Sequence, residues 1–202
     1  VEGLMPQMLA VPGVRLEATG VKRLETTTKG PGKKANLWAY LKANEIVVYD
    51  FTIKHNQVGP ANFLADYSGY VQGDADTIYD AMFKKRPSLI EVGCMAHCRR
   101  KFFESLPTDA ARANEVLALI LRLYRVERAM KDQGLTHDQR TLRRLSESKP
   151  ILADFNAWLA EAAKSTLPQS PIGKAVNYAQ KHWVALTRFA DDGRLEIDNN
   201  DT

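Results

Sequence analysis

GYVQGDADTIYDAMFKKRPSLIEVGCMAHCRRKFF, residues 69–103, is the segment from which the architecture of the whole chain follows. It contains an apolar run at Tyr70 and Val71, a helical segment over Thr77–Lys84 and a second apolar run over Leu89–Val92. A strand, a helix of about ten residues and another strand form a β-α-β unit with parallel strands. Ligands bind in the crevice at the carboxyl ends of such strands. The segment therefore predicts a ligand site at one edge of a sheet.

Two chemically distinct groups follow the two predicted strands. Asp74 comes after the first strand, and the cluster Cys94–Lys101 comes after the second. An Asp in this place is commonly a turn former or the N-cap of a helix, here one that begins near Ala75. Asp76 fits that capping role equally well, which leaves Asp74 available for another function. Both interpretations of Asp74 stay open at this point.

Three strings of this sequence resemble one family of enzymes. GYVQGDADTIYDAMF, IEVGCMAHCRRKFF and DDGRLEIDNN occur in this order and resemble the transposases of the insertion sequence 66 family. The resemblance covers the chain from about Val14 to Thr202. It implies a DDE-type transposase that cleaves DNA at transposon ends and transfers the strands to target DNA. It also implies Mg²⁺ or Mn²⁺, two ions in the complete enzyme, and a ribonuclease-H-like core.

The remaining strand patterns agree with that fold. Val14–Glu17 alternates apolar and polar residues, as a half-buried strand does. Leu37–Ala43 and Ile46–Ile53 are β-rich runs joined at Asn44-Glu45, which predicts an antiparallel hairpin. Three strands followed by a β-α-β unit match the mixed five-stranded α/β sheet of the ribonuclease-H-like fold.

Helical periodicity replaces the strand pattern in the second half of the chain, from Thr108 to Ala190. Thr108 is expected to cap the first of these helices and Gly134 to end it, Thr136–Gln139 has the pattern of a capping box, and Ser170-Pro171 is expected to begin a later helix. The positions predicted to lie on apolar helix faces include Leu121, Tyr124, Leu142 and Leu145, and Arg194–Ile197 is expected to be extended.

We therefore predict a catalytic core with its first helices over residues 1–106 and an all-helical insertion over 107–190. Residues 191–202 are expected to return to the core and to stop before the final catalytic helix. We interpret the chain as a piece of a longer polypeptide.

The resemblance assigns two acids to the active site. Glu17 stands where the family has its first catalytic Asp, and Asp74 is the second acid, so both are expected to be catalytic and to bind metal. A Glu replaces an Asp at Glu17, and its extra methylene moves the carboxylate by about one bond length. The family's third acid follows an Asp-Asn-Asn string after two variable residues. Asp198–Asn200 is that string here, and the chain ends one residue before the expected acid.

The basic cluster after the second strand is the predicted DNA contact. The resemblance places His97, Arg99, Arg100 and Lys101 beside the active site, where the cations would meet phosphate; an ordinary solvated helix face is the alternative. Two further runs have the same two interpretations and are a DNA track only if they share a surface: Lys29, Lys33 and Lys34, and Arg140, Arg143 and Arg144.

Cys94, His97 and Cys98 have the residue types of a zinc site. A structural zinc normally has four protein ligands, and the neighbouring sequence offers no second pair. We therefore favour a small buried Cys94 and a hydrogen-bonded His97 over zinc. A zinc-stabilised interaction module remains a third hypothesis for the function, and it predicts stoichiometric zinc in the purified protein.

Composition limits the class of protein. The chain has 202 residues, 45% hydrophobic and 26% charged, with a formal charge of +4 that allows an anionic partner without requiring one. No apolar run approaches the roughly 18 residues of a membrane helix, and the two cysteines do not indicate a disulfide framework. We expect a bacterial cytoplasmic protein, bound to the nucleoid when on DNA, that self-associates there and has possible accessory proteins. A catalytically inactive remnant that binds DNA or a partner is the second hypothesis.

Overall fold

The computed structural model describes residues 13–23, 33–42, 46–53, 58–75 and 77–200, without the side chains of residues 22, 23, 33 and 34. The chain divides into two compact units. The sheet unit is Val1–Glu91 with Asp201–Thr202, and the helical unit is Val92–Asn200. Compactness does not test the predicted core over 1–106, insertion over 107–190 and return over 191–202, which stay predictions.

A mixed sheet of five strands confirms the predicted α/β class. The spatial order of its strands is β3-β2-β1-β4-β5. Strand β1 pairs antiparallel with β2 and parallel with β4, and β2 pairs antiparallel with β3. The predicted hairpin is confirmed by Lys42 opposite Ile46, whereas its turn lies outside the described residues. The strands are β1 (Gly13–Arg23), β2 (Lys33–Lys42), β3 (Ile46–Thr52), β4 (Gly69–Gly73) and β5 (Leu89–Gly93).

One face of this sheet carries the core of the sheet unit. Alternate residues of β1, Val14 and Leu16, are buried, and they lie opposite buried residues of β4 and β2. Helices α1 (Val58–Phe63) and α2 (Asp80–Lys85) supply the covering layer, since residues of α2 and of the segments next to both helices join the same cluster. The cluster comprises Val14, Leu16, Trp38, Tyr40, Val48, Leu64, Tyr67, Val71, Tyr79, Met82 and Leu89.

The helical unit contains six helices and two irregular helical segments within residues 92–200. Helix α3 packs on α4 and α7, and α6 packs on α4 and α7. Edge-to-face rings join these layers, with ring centroids 6.0 Å apart for Phe102 and Phe155 and 5.4 Å apart for Phe155 and Trp183. The elements are α3 (Met95–Glu104), α4 (Ala110–Asp132), α5 (His137–Arg143), a π-helical turn (Arg144–Ser148), α6 (Lys149–Ser165), α7 (Pro171–Lys181), α8 (Trp183–Thr187) and a 3₁₀ turn (Arg188–Asp191).

The helix-end signals of the sequence are largely confirmed. The capping box from Thr136 to Gln139 forms, and Ser170 caps α7. Gly134 follows the end of α4 with φ +62°, a left-handed conformation that favours glycine. The expected cap Thr108 is wrong by one residue, because the Asp109 side chain accepts from the Arg112 N–H at 3.2 Å.

The predicted apolar faces contain errors. Leu121, Leu142 and Leu145 are at least half exposed. The buried stripe of α4 runs through Val116, Ile120 and Leu123 and leaves Leu121 on the adjacent side. The π-helical turn changes the rotation of the chain beyond α5, which a regular 3.6-residue period does not anticipate. Residues 194–197, expected to be extended, form turns and bends.

No helix in the described part of the chain has both the length and the apolar character that crossing a bilayer requires.

Candidate active site

The register of two neighbouring strands brings the predicted acids together along the backbone. Strand β1 pairs in parallel with β4, with Val14 opposite Val71 and Arg15 opposite Gln72. Two residues further along each chain come Glu17 and Asp74, and continuing the same register would bring them level. The strands are still adjacent there, because a Cβ built on Gly73 would lie 3.5 Å from the Leu16 carbonyl oxygen.

The alternation of side chains along β1 places Glu17 on the face opposite the core. Leu16 is buried in the core, so Glu17 faces the opposite side, where it is partly exposed. Val71 shares the core face with Leu16, and Asp74, which directly follows the end of β4, is also partly exposed. The role of Glu17 and Asp74 as metal ligands stays a prediction.

The capping interpretation of Asp74 is wrong for α2. The helix begins at Asp80 rather than at Thr77, and its N-cap is Tyr79, whose side chain makes no capping hydrogen bond. Thr77–Tyr79 form a turn instead. Asp76, the alternative cap, lies outside the described residues.

Backbone strain follows Asp74 directly. Ala75 is buried and has φ +57°, a left-handed conformation. Such a conformation costs a residue with a Cβ about 1–2 kcal/mol. Conformations of this kind occur at functional sites, where the surrounding structure holds them in place. The turn that carries Asp74 out of β4 is therefore fixed by its neighbours rather than by local preference.

The donor set fits a hard cation in part. Glu17 and Asp74 offer carboxylate oxygens, which Mg²⁺ and Mn²⁺ prefer. The described residues contain no group of three or more His, Cys, Asp or Glu side chains able to hold an ion. The two predicted acids alone are therefore fewer ligands than a complete site requires.

The cysteines at the start of α3 are protected thiols. Cys94 and Cys98 are both buried and unbonded to each other. Burial raises the pKa of Cys94 to about 11, although the N–H groups of Asn199, His97 and Ala96 near its sulfur act in the opposite direction. Burial also raises the pKa of Cys98 to about 12. Raised pKa values of this kind belong to buried cysteines that do not react as nucleophiles. The expected hydrogen bond of His97 is not made at Nδ1, which is buried without a partner in the described part.

The predicted DNA contacts are accessible cations of α3. Arg99 and Arg100 are exposed, and the Arg99 guanidinium lies 5.9 Å from the centroid of the Phe103 ring. The Lys101 ammonium lies 4.6 Å from the centroid of the Tyr178 ring. Contacts of this type orient a cation without neutralising its charge. Their binding to phosphate stays a prediction.

The run Arg140, Arg143 and Arg144 forms a network of ion pairs within the helical unit. For Arg144 both expected roles, a DNA contact and a solvated helix face, are wrong. This side chain is 0% exposed and forms a bidentate pair with Glu127, with N···O distances of 2.9 and 2.6 Å. Its other hydrogen bonds go to backbone carbonyls. Arg140 pairs with Glu196 at 2.9 Å twice, and Arg143 pairs with Glu147 at 2.8 Å. The carbonyls that accept from Arg144 belong to Phe189, Asp192 and Leu195.

The Arg144 network fixes the segment that leads to the Asp-Asn-Asn string, residues 189–200, which we call the return segment. Beyond the arginine contacts, the Met95 N–H donates to the Ile197 carbonyl at 3.0 Å. The Tyr124 hydroxyl donates to Asp198 at 2.5 Å. Burial and this hydrogen bond raise the pKa of Tyr124. The start of α3 and the Asp-Asn-Asn string therefore form one cluster inside the helical unit.

The pairing of Tyr124 with Asp198 was missed from the sequence. Tyr124 falls at an apolar position of an amphipathic helix, so periodicity assigns it to the core. Asp198 lies 74 positions away, and nothing in its local sequence indicates a partner on α4. A buried tyrosine needs an acceptor for its hydroxyl, and this requirement was the available signal.

Two relatives from Sinorhizobium fredii (strain NBRC 101917 / NGR234) are similar to this chain. One, the uncharacterized protein y4jD, is 29% identical over 207 residues, which are 94% of this chain and 39% of the relative. The other, the uncharacterized protein y4qI, is 30% identical over 194 residues, 88% of this chain and 36% of the relative. The chain thus spans well under half the length of these relatives. No solved structure matches it.

The sequence profile of one family matches the whole chain, residues 1–202, and its description is "Transposase IS66 family". The resemblance of the three quoted strings is thereby confirmed. The chain belongs to the insertion sequence 66 family of transposases.

Proposed function

We propose that this chain is the catalytic part of a DNA transposase that cleaves and transfers strands at transposon ends, on a ribonuclease-H-like core. The observation that carries the proposal is the parallel register of β1 and β4, in which Arg15 lies opposite Gln72. Continuing this register by two residues would bring Glu17 level with Asp74. The strand order β3-β2-β1-β4-β5 supports the ribonuclease-H-like assignment, since it puts the first and fourth strands side by side. Membership of a transposase family supports DNA as the substrate.

The proposed chemistry assigns distinct work to the two sets of residues. Divalent cations, when bound, supply charge stabilisation for the attacking and leaving oxygens of phosphoryl transfer. Glu17 and Asp74 would hold them, because both offer hard anionic oxygens. Arg99 and Arg100 would bind phosphate through charge-assisted hydrogen bonds, with Lys101 and His97 beside them in sequence.

Metal binding tests the assignment of Asp74. In a version extended past Thr202, we expect Mn²⁺ binding, measured by titration calorimetry, to be lost on Asp74→Asn, because the amide keeps the shape and removes the charge. Asp66→Asn is the matched control, since Asp66 is an exposed acid of the same unit that follows α1. Equal Mn²⁺ affinity in Asp74→Asn and the parent protein would remove Asp74 from the site.

An inactive remnant is the second candidate, and the Glu at position 17 favours it. A strand-transfer assay on the extended version with transposon-end DNA separates the two candidates. Joined products support the enzyme, and binding without joining supports the remnant. The variant Glu17→Asp sharpens the assay, because a shorter carboxylate restores the acid that the family has at this place. Joining that appears only in this variant would show that Glu17 disables the natural chain.

A further inference from the structure

The net positive charge of the chain is confined to the helical unit. Of the 28 lysines and arginines, 17 lie in residues 92–200, together with 13 of the 24 acids. The helical unit therefore carries +4, and the sheet unit, with 11 cations and 11 acids, carries none. An excess of positive charge means that some cations of this unit have no acid to neutralise them.

At least eight of the 17 cations of the helical unit are engaged in ion pairs. Arg140 and Arg144 share Glu127, and Lys149 and Lys164 pair with neighbouring acids at 2.5 and 2.7 Å. Three cations on the last turns of α4 differ. Within the described residues, no ion pair is made by Arg125, Arg128 or Lys131.

These three cations form one stripe, which we call the α4 track. All three are exposed and recur at intervals of three residues. With a rise of 1.5 Å per residue, the track is about 9 Å long. Asp132, also exposed, is the acid next to it along the helix. A stripe of this length spans about two to three phosphate steps of one DNA strand, which rise about 3.4 Å each.

The α4 track lies near the predicted DNA contacts of α3. Helices α3 and α4 pack together. The charge of Arg99 acts on the Tyr124 hydroxyl and lowers its pKa against the larger effect of burial. Tyr124 is one helical turn before Arg128, so it links the two groups of cations. The sequence alone does not distinguish Arg125, Arg128 and Lys131 from the other cations of the helical unit. Only the structure shows which of those cations pair with acids.

We propose that Arg125, Arg128 and Lys131 bind the phosphate backbone of duplex DNA and extend the contact surface of Arg99 and Arg100 along α4. The inference rests on the proposed function, since it assigns to the same DNA a second, sequence-independent contact. Backbone contacts of this kind set the position of a protein on a duplex and make its affinity depend on salt.

The test is binding of the 202-residue chain to a mixed-sequence duplex of about 30 base pairs, followed by fluorescence anisotropy over a range of salt concentrations. In the triple variant Arg125→Gln, Arg128→Gln, Lys131→Gln, we expect affinity to fall about tenfold or more at low salt. The slope of log K against log salt should become shallower by about 2.7, from about 0.9 for each lost phosphate contact.

A control of equal charge separates local contact from net charge. The triple variant Arg143→Gln, Lys149→Gln, Lys164→Gln also removes three positive charges from the helical unit, but from cations that pair with acids. We expect its affinity to stay within about twofold of the parent chain. All six positions are solvent-accessible, and circular dichroism verifies that both variants fold.

The outcomes separate DNA binding by the α4 track from the proposed transposase activity. Equal loss in both triple variants, or no loss in the α4 variant while Arg99→Gln, Arg100→Gln weakens binding, would overturn the α4 track and leave the proposed function intact. Tighter binding of single-stranded RNA than of the duplex would also overturn it. Failure of strand transfer in the extended version, with the α4 effect present, would refute the enzyme and keep the track.

Discussion

Two buried polar side chains of this protein, Arg144 in the helical unit and Tyr40 in the sheet unit, differ in whether their polar atoms have partners. The helical unit buries the Arg144 guanidinium completely and satisfies it with Glu127 and three carbonyl groups. The sheet unit buries the Tyr40 hydroxyl without a hydrogen-bond partner among the described residues. The Arg144 guanidinium stabilises its unit only through its partners. Burial of the unpaired Tyr40 hydroxyl costs free energy, which the apolar core offsets. The difference shows that burial alone does not tell what a polar side chain contributes.

A second contrast lies inside the helical unit, between two Arg-Arg pairs that look alike in sequence. Arg99 and Arg100 are exposed on α3, whereas Arg144 is buried and Arg143 pairs with Glu147. The buried Arg144 guanidinium donates hydrogen bonds to backbone carbonyls of the return segment and so holds that segment in place. A charge run therefore indicates a DNA contact only after the internal pairs have been identified.

The largest expected effect comes from Arg144→Met. Removing the guanidinium leaves Glu127 with Arg140 at 3.6 Å as its remaining ion pair and leaves three carbonyls of the return segment without this donor. Breaking a buried pair in this way costs about 3–5 kcal/mol. We expect a loss of that size in the free energy of unfolding, measured by urea denaturation and circular dichroism.

The neighbouring arginine is the control for that measurement. Arg143 makes a partly exposed pair with Glu147, and such pairs are worth about 0–1 kcal/mol. Arg143→Gln should therefore leave the urea midpoint nearly unchanged. Equal midpoints for Arg144→Met and Arg143→Gln would show that the buried network does not hold the return segment.

A matched pair of Tyr→Phe substitutions tests the contrast between a partnered and an unpartnered buried group. Tyr124 donates to Asp198 at 2.5 Å, and a hydrogen bond to a charged group contributes about 1.5–3 kcal/mol, so Tyr124→Phe should destabilise by that amount. Tyr40→Phe removes a hydroxyl that has no partner in the described part, so it should stabilise by about 1 kcal/mol. Both free energies come from urea unfolding.

Opposite signs are the essential result of that pair. Each variant removes the same oxygen from the same residue type, so differences in side-chain volume and propensity cancel. Destabilisation by Tyr40→Phe would mean that the Tyr40 hydroxyl has a partner, and the contrast between the two tyrosines would then disappear.

The sheet could be predicted in detail because its signals are local. Alternation in β1, the β-rich runs of β2 and β3 and the two apolar runs around α2 each report which side of a strand is buried. The neighbouring positions of β1 and β4 also agree with the strand order that the family resemblance implies. The start of α2 was placed three residues too early, since the strained turn at Ala75 has no sequence signal of its own.

The polar contacts of the helical unit could not be predicted, because their partners are far apart in sequence. Arg144 reaches carbonyls 45 to 51 positions away, and Tyr124 reaches Asp198 over 74 positions. Such pairings depend on how helices pack rather than on any local pattern. Helix ends were accessible by contrast, since caps such as Thr136 and Ser170 act within three residues.

The smallest effect concerns acid, and it tests whether the return segment is also fixed by exposed charge. Hydrogen bonds from Arg194 hold the pKa of Asp192 below its usual value, although partial burial acts against them. A carboxyl with a lowered folded-state pKa adds stability above the unfolded-state pKa of about 3.9, and that stability is lost as the pH falls through the folded-state value. The contribution should be under about 1 kcal/mol, because Arg194 is substantially exposed.

We therefore expect Asp192→Asn to lose less stability than the parent chain between about pH 5 and pH 2, measured by urea midpoints at each pH. Asp132→Asn, at an exposed acid without an ion pair in the described part, should follow the parent chain. If Asp192→Asn has the parent's acid sensitivity, the return segment is held by the buried Arg144 network alone, and the contrast between buried and exposed arginines becomes sharper still.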